Sequence, residues 1–168
     1  MQQSYSKVTG FEVQTSLSKL VEDAIQINSA GLERHEVQLI REFEELGDVE
    51  IDKQKILQIL VNLISNAKYA VSGNDKEEKL LTIRIYKHGE DHLRIEVADK
   101  GVGILKDNLT KIFNHGFTTK KHGHGFGLHS GALAAKEMGG SLAVHSDGVG
   151  QGATFTLELS FKPVEVRE

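Results

Sequence analysis

The sequence contains no cysteine, which excludes disulfides, thiolate metal sites and thiol catalysis. It has no apolar run long enough to span a bilayer, and its N-terminus lacks a signal-peptide pattern. Neither sign of charge dominates. A net charge of −4 gives no reason to expect nucleic acid or an anionic membrane surface as a partner. Proline occurs once, at Pro163, so the loops before it are unstiffened. What remains is ordinary for one soluble domain with a real core: 168 residues, 39% hydrophobic and 26% charged. Glycine is the excess. Most of the 17 glycines fall from Gly101 onward, so the second half holds loops of special backbone geometry.

The chain is organised around Lys53–Val71, KQKILQILVNLISNAKYAV. It lacks Gly and Pro and is long enough for about five helical turns. Its apolar residues nearly encircle the axis, which predicts a buried helix. One row interrupts them: Gln58, Asn62 and Asn66 recur every four residues, and Tyr69 continues the line. Residues four apart share a face, and buried amides are costly without partners. The row reads as one wall of a polar ligand pocket; an amide row bonded to neighbouring backbone is the alternative.

Met1–Gly10 is polar and reads as the remnant of an upstream segment. Phe11–Gln14 is a candidate short strand. Ser16 is placed to cap a helix over roughly Leu17–Arg34, with Leu17, Leu20, Val21, Ala24, Ile25 and Ile27 facing inward. Val37–Phe43 reads as a strand, Val49–Ile51 as a short extended piece, and Asp52 as the cap of the central helix. Leu80–His88 and Leu93–Ala98 alternate as an antiparallel pair. A short helix is expected at Asp107–Phe113 and another at Leu128–Met138, stopped by Gly139-Gly140. Ser141–Ser146 and Ala153–Phe161 form a last hairpin. The sum is an α+β fold, an antiparallel-rich sheet with helices on one face, without repeats or a second domain.

Three motifs carry chemistry. Asp99-x-Gly101-x-Gly103 ends a buried strand, where glycines let a ligand approach the backbone and a carboxylate can accept from an exocyclic amine. Alone it is a weak signal, because turns use the same residues. Gly123-His-Gly125-Phe-Gly127-Leu128 runs into a helix, where exposed N–H groups and the helix dipole suit a phosphate. It is neither a P-loop nor a dinucleotide fingerprint. Lys120 and Lys121 lie just upstream.

In order and spacing, the amide row, D-x-G-x-G, the long lid ending in G-x-G-x-G, and the closing Gly152-Ala-Thr154-Phe155 resemble the ATP-binding domain of sensor histidine kinases. Gyrase, a heat-shock chaperone and mismatch-repair ATPases share that superfamily. The resemblance runs from about Thr15 to Phe161. Asn62-Leu-Ile-Ser-Asn66-Ala67 looks like the N box, Asp99–Gly103 the first glycine box, Ile112–Lys120 the F box and lid, and Gly123–Leu128 the second glycine box. The resemblance implies a Bergerat fold: a two-layer α/β sandwich whose mixed, mostly antiparallel sheet is covered on one face by about three helices. The domain would occupy 11–162, with 163–168 a tail.

It also implies ATP and Mg²⁺ as cofactors. Asn66 would offer its amide oxygen to magnesium, and Asn62 would support that shell or the phosphates. Asp99 would hold the adenine amino group, with Gly101, Gly103 and Ile104 against the base and Thr154 completing the site. Lys120, Gly123, Gly125, Gly127 and Leu128 would attend the phosphates. Tyr69 would stack on adenine and Lys68 meet a phosphate, although the family varies at both places. His124, between lid glycines, is a further candidate neighbour of the γ-phosphate.

Hydrolysing relatives place a glutamate base four residues before the magnesium asparagine; here that position is Asn62, and an amide cannot take a proton. The implied chemistry is therefore γ-phosphate transfer to a histidine on a separate dimerisation domain, then to a response regulator. An ATPase, or a docking module without kinase activity, is the alternative. His35-Glu36 resembles an acceptor pair but lacks the Arg and Pro that follow it in the family, so the chain reads as a catalytic domain cut from a longer kinase. A cytoplasmic location follows for the domain, whether or not the parent chain is membrane-anchored. Asn114–Gly127, with few apolar anchors, should be mobile without nucleotide.

Overall fold

The computed structural model describes residues 12–114 and 127–161. Strand β1 (Glu12–Ser16) leads into α1 (Leu17–Ile27) and α2 (Ser29–Arg34); β2 (Gln38–Phe43) and β3 (Asp48–Asp52) precede α3 (Lys53–Val71). Then come β4 (Leu80–His88), β5 (His92–Asp99), α4 (Gly127–Glu137), β6 (Ser141–His145) and β7 (Ala153–Ser160).

The main sheet has the order β2-β4-β5-β7-β6, and β1 pairs separately with β3. Among the described residues only β2 and β4 run parallel, and the other pairings are antiparallel. Alternation decides the faces. Leu81, Ile83, Ile85, Leu93, Ile95, Val97, Leu157 and Leu159 are buried under the helices. The opposite face carries cross-strand charge pairs: Arg84 to Glu96 at 3.2 Å and Arg94 to Glu158 at 2.7 Å. That face is polar where the other is aliphatic, so register is strongly specified. The α+β class and the mixed, mostly antiparallel sheet with helices on one face agree with expectation.

Helix α3 lies between α1 and α4 and over β5. Its span is the expected one. Asp52 Oδ1 accepts from Lys55 N at 3.2 Å, which caps it. Ile56, Ile59, Leu60, Leu63, Ile64, Ala67 and Val71 are buried, about 1.5–3 kcal/mol for each large side chain.

Two local expectations are corrected. The single helix over Leu17–Arg34 is broken at Asn28, whose side-chain amide donates to Ala24 O at 3.3 Å and to Val61 O at 3.2 Å. A buried amide that bonds the backbone of two helices competes with continuation of its own. Ile27, expected on the inner face, is 60% exposed beside that break. The short helix at Asp107–Phe113 is only a 3₁₀ turn at Lys106–Asn108 followed by further turns. His35 ends α2 as its C-cap.

Candidate functional site

The candidate site lies along one flank of α3. Asn62 and Asn66 stand one above the other, both half-buried, with Tyr69 half-exposed further along. Helix α4 begins against the Asn62 end. A Cβ on Gly127 would stand 3.0 Å from Asn62 Nδ2, so only glycine allows this approach without moving the amide. The first N–H groups of a helix have no intrahelical partner and favour an anion. Leu128, half-buried, packs on the core. His129 Nδ1 lies 3.1 Å from Phe113 O, tying α4 to the end of the preceding segment.

The other end of α3 carries the D-x-G-x-G loop. Val102 N donates to Ala70 O at 3.1 Å, and a Cβ on Gly101 would meet that oxygen at 2.5 Å. Gly103 has φ +72°, and a Cβ there would run into Gly148 O. Gly150 N donates to Val102 O at 2.7 Å and Gly152 N to Gly101 O at 3.2 Å. Two glycine loops are thus laced together and seated on the last turn of the helix. At 1.5 Å per residue, Asn62 and Ala70 are about 12 Å apart along the axis.

Asp99 sits at this end, buried at the close of β5. Its Oδ1 accepts from Gly101 N at 2.8 Å, and the Ala153 N–H also bonds the carboxylate. Burial raises its pKa from 3.8 to about 6; the two N–H groups pull the other way and only partly offset it. A desolvated carboxylate held by backbone, with no cation facing it among the described residues, is suited to accept from a neutral ligand donor. Among the described residues no cluster of three or more His, Asp or Glu side chains could hold a metal by itself.

Two expected site residues stand elsewhere. Lys68 lies over α2: a Cβ on Gly31 would meet its Nζ at 2.6 Å. At 100° per residue it is about 160° round the helix from Asn66. Thr154 pairs with Ala98, while Ala153 pairs with Asp99. Because strand side chains alternate, Thr154 projects from the opposite face to Asp99. Ile104 is half-buried beside the loop, its N–H given to Ser146 Oγ at 3.1 Å. Lys120, Lys121, Gly123, Gly125, His122 and His124, with most of the expected lid, lie outside the described residues.

Over residues 51–163 the chain matches the family described as histidine kinase-, DNA gyrase B-, and HSP90-like ATPase. The chain belongs to that family. It is 34% identical over 145 residues to the sensor protein FixL of Bradyrhizobium diazoefficiens, covering 86% of this chain and 28% of FixL. It is also 34% identical over 152 residues to the signal transduction histidine-protein kinase AtoS of Escherichia coli, covering 89% and 24%. The chain therefore spans about a quarter of the length of these curated relatives. Among solved structures, the catalytic domain of histidine kinase ThkA superposes with TM-score 0.78 at 25% identity, covering 90% of this chain and 97% of that one. Full-length ShkA in complex with AMPPNP superposes with TM-score 0.80, covering 93% of this chain and 32% of that one; at 21% identity it shows the fold.

For this member of the ATPase family, two polar residues that build the Asp99 end of the flank carry no motif in the sequence. Ser146 was read only as the end of a strand. Its hydroxyl joins Ile104, Gly148 and Gly152. Asn74, in a loop read as merely polar, donates to Lys100 O at 2.7 Å and Glu78 O at 3.0 Å. Both are short polar side chains, whose local use is invisible until the partner backbone is in place.

Proposed function

We propose that this domain binds Mg-ATP along α3, with adenine at Asp99 and the phosphates at Asn62, Asn66 and the start of α4. It then presents the γ-phosphate to a histidine on a separate dimerisation domain. A response regulator would take the phosphoryl group onward. The observation that carries this reading is the two-ended flank of α3: a backbone-held carboxylate at one end, and amides against a helix N-terminus at the other. The named relatives, sensor kinases over a longer chain, support it.

The residues present fit magnesium. It prefers oxygen ligands, keeps several waters and takes the rest from substrate phosphates, so one asparagine oxygen suffices and no acidic cluster is needed. Asn66 would hold it and Asn62 would steady the phosphates. When bound, the ion neutralises charge on the phosphate oxygens. The chain's own work is positioning: Asp99 and the glycine loops fix the base, and the α4 N-terminus faces the anionic end. No carboxylate on this flank of α3 takes the place next to Asn66 where a water-activating base would stand, since that residue is Asn62. Transfer to another nucleophile fits this better than hydrolysis.

The test is titration calorimetry with magnesium and a non-hydrolysable ATP analogue, followed by phosphorylation in trans of a supplied histidine-bearing dimerisation domain. Asn66→Ala should abolish magnesium-dependent binding while thermal stability holds; unchanged affinity would remove the magnesium role of Asn66. ATP-dependent label should appear on the supplied histidine. Rapid phosphate release by the isolated domain would favour the hydrolase reading instead.

A further inference from the structure

Ser146 is buried, yet its single hydroxyl engages the backbone of three residues, with Gly148 O at 3.4 Å a weaker second acceptor. It accepts from Ile104 N at 3.1 Å and from Gly148 N at 3.3 Å, and donates to Gly152 O at 2.6 Å. A hydroxyl offers one donor and two acceptor sites, so this one is saturated. Its partners lie on both glycine loops: Ile104 follows D-x-G-x-G, and Gly148 and Gly152 bracket the turn between β6 and β7.

The Gly152 carbonyl belongs to the same peptide unit as the Ala153 N–H, and that N–H bonds the Asp99 carboxylate. A hydrogen bond accepted at the carbonyl polarises the amide and strengthens the bond its N–H donates. The peptide plane is also confined. Gly152 has φ +72°, its N–H is given to Gly101 O at 3.2 Å, and a Cβ there would run into Asp99 O. Ser146 therefore orients the peptide that holds the carboxylate, and Gly101 fixes the peptide just before it.

We propose that Ser146 is a positioning residue for base recognition, acting through the Gly152–Ala153 peptide to hold Asp99 as an ionised, aimed acceptor. It touches no ligand itself. The inference rests on the reading that Asp99 accepts from the exocyclic amine of adenine. Around Asp99 the sheet neighbours are Leu81 and Ala153. The last turn of α3 contributes Ala70 near the loop. Lys100, the nearest charge in sequence, is turned toward Glu78 at 4.0 Å. Among the described residues no cation stands beside the carboxylate; its ionisation there rests on the two N–H groups, and Ser146 stands behind one of them.

The test compares ATP with ITP, whose base carries a carbonyl where adenine has its amine. A carboxylate accepts from the amine and repels the carbonyl, so the wild type should prefer ATP. Ser146→Ala should weaken ATP but not ITP, lowering the ATP-to-ITP affinity ratio about tenfold, and Ser146→Thr should restore it. Ser146→Cys, with similar volume and a weak donor, should fall between, and serves if the alanine variant does not fold. A purely structural serine would lower both affinities together and leave the ratio unchanged. That result, in a wild type that discriminates, overturns the role of Ser146 alone. A wild type that binds ATP and ITP equally overturns the role of Asp99 and this one with it.

Discussion

The two ends of α3 are built on different principles. At the Ala70 end the backbone does the holding: two glycine loops exchange N–H···O bonds with each other and with the helix, and Asp99 is fixed by N–H groups. At the Asn62 end a side-chain amide meets the first residue of another helix across a single glycine. A backbone lattice resists change, because a side chain at Gly101, Gly103 or Gly152 strikes a carbonyl that cannot move alone. A side-chain contact yields by rotation. Under the proposed function, the first arrangement would read a rigid flat base, and the second would serve the end where phosphates bind and leave.

The largest effect should come from the lattice. Gly103→Ala and Gly152→Ala both place a Cβ into a backbone carbonyl at positive φ. Each should cost about 3 kcal/mol or more, seen as a lower melting temperature together with loss of nucleotide binding. If either variant melts with the wild type, the lattice is softer than the comparison holds. Gly127→Ala should be far milder, within about 1 kcal/mol, since Asn62 Nδ2 at 3.0 Å can swing aside. Its signature is weaker binding of the triphosphate with the melting temperature nearly kept. A large drop in stability there would make the two ends alike.

Asp99→Asn sharpens the base end. It should cost adenine nucleotides on the order of a hundredfold while changing stability by only about 1 kcal/mol. Equal loss of both would make Asp99 structural. The pH dependence follows from its raised pKa. A carboxyl with folded pKa about 6 against 3.8 unfolded binds its proton more tightly when folded. Its contribution to stability is therefore fully present below about pH 4 and is lost as pH rises through 6, by roughly 3 kcal/mol at most. Denaturant titrations from pH 4 to 8 should show this fall in the wild type and less of it in Asp99→Asn. Adenine selectivity should move oppositely, declining as pH drops below 6. The smallest effect is expected for Lys68→Ala. Its side chain lies over Gly31 and away from Asn66, so ATP affinity should stay within about twofold; a larger loss would return Lys68 to the phosphate site.

Much of the scaffold was legible because it is local. The limits of α3, its Asp52 cap and the alternation of β4 and β7 follow from periodicity and capping within a few residues. The site was legible as a set of motifs, but not residue by residue. Lys68 and Tyr69 are adjacent in sequence but on different faces of the helix, and the packing of α2 on α3 gives the lysine its place away from the flank. Thr154 stands on the opposite sheet face from Asp99, because side chains alternate along the strand and the register is set by the pairing partner. Asn28 gave no sign of breaking a helix, since its second acceptor, Val61 O, is 33 residues away.

By itself the sequence determined the central helix, the order of the main strands, and the glycine-bracketed carboxylate. It also excluded thiol chemistry, and no helix among the described residues is long and apolar enough to cross a membrane. Each of these depends on side-chain type and near-neighbour spacing. Only the tertiary structure decided the parallel pairing of β2 with β4, the face on which each candidate stands, and the Ser146 hydroxyl that joins two loops about forty residues apart. Those depend on which distant backbone groups meet, and a hydrogen bond worth about 1 kcal/mol leaves no periodic trace along the chain.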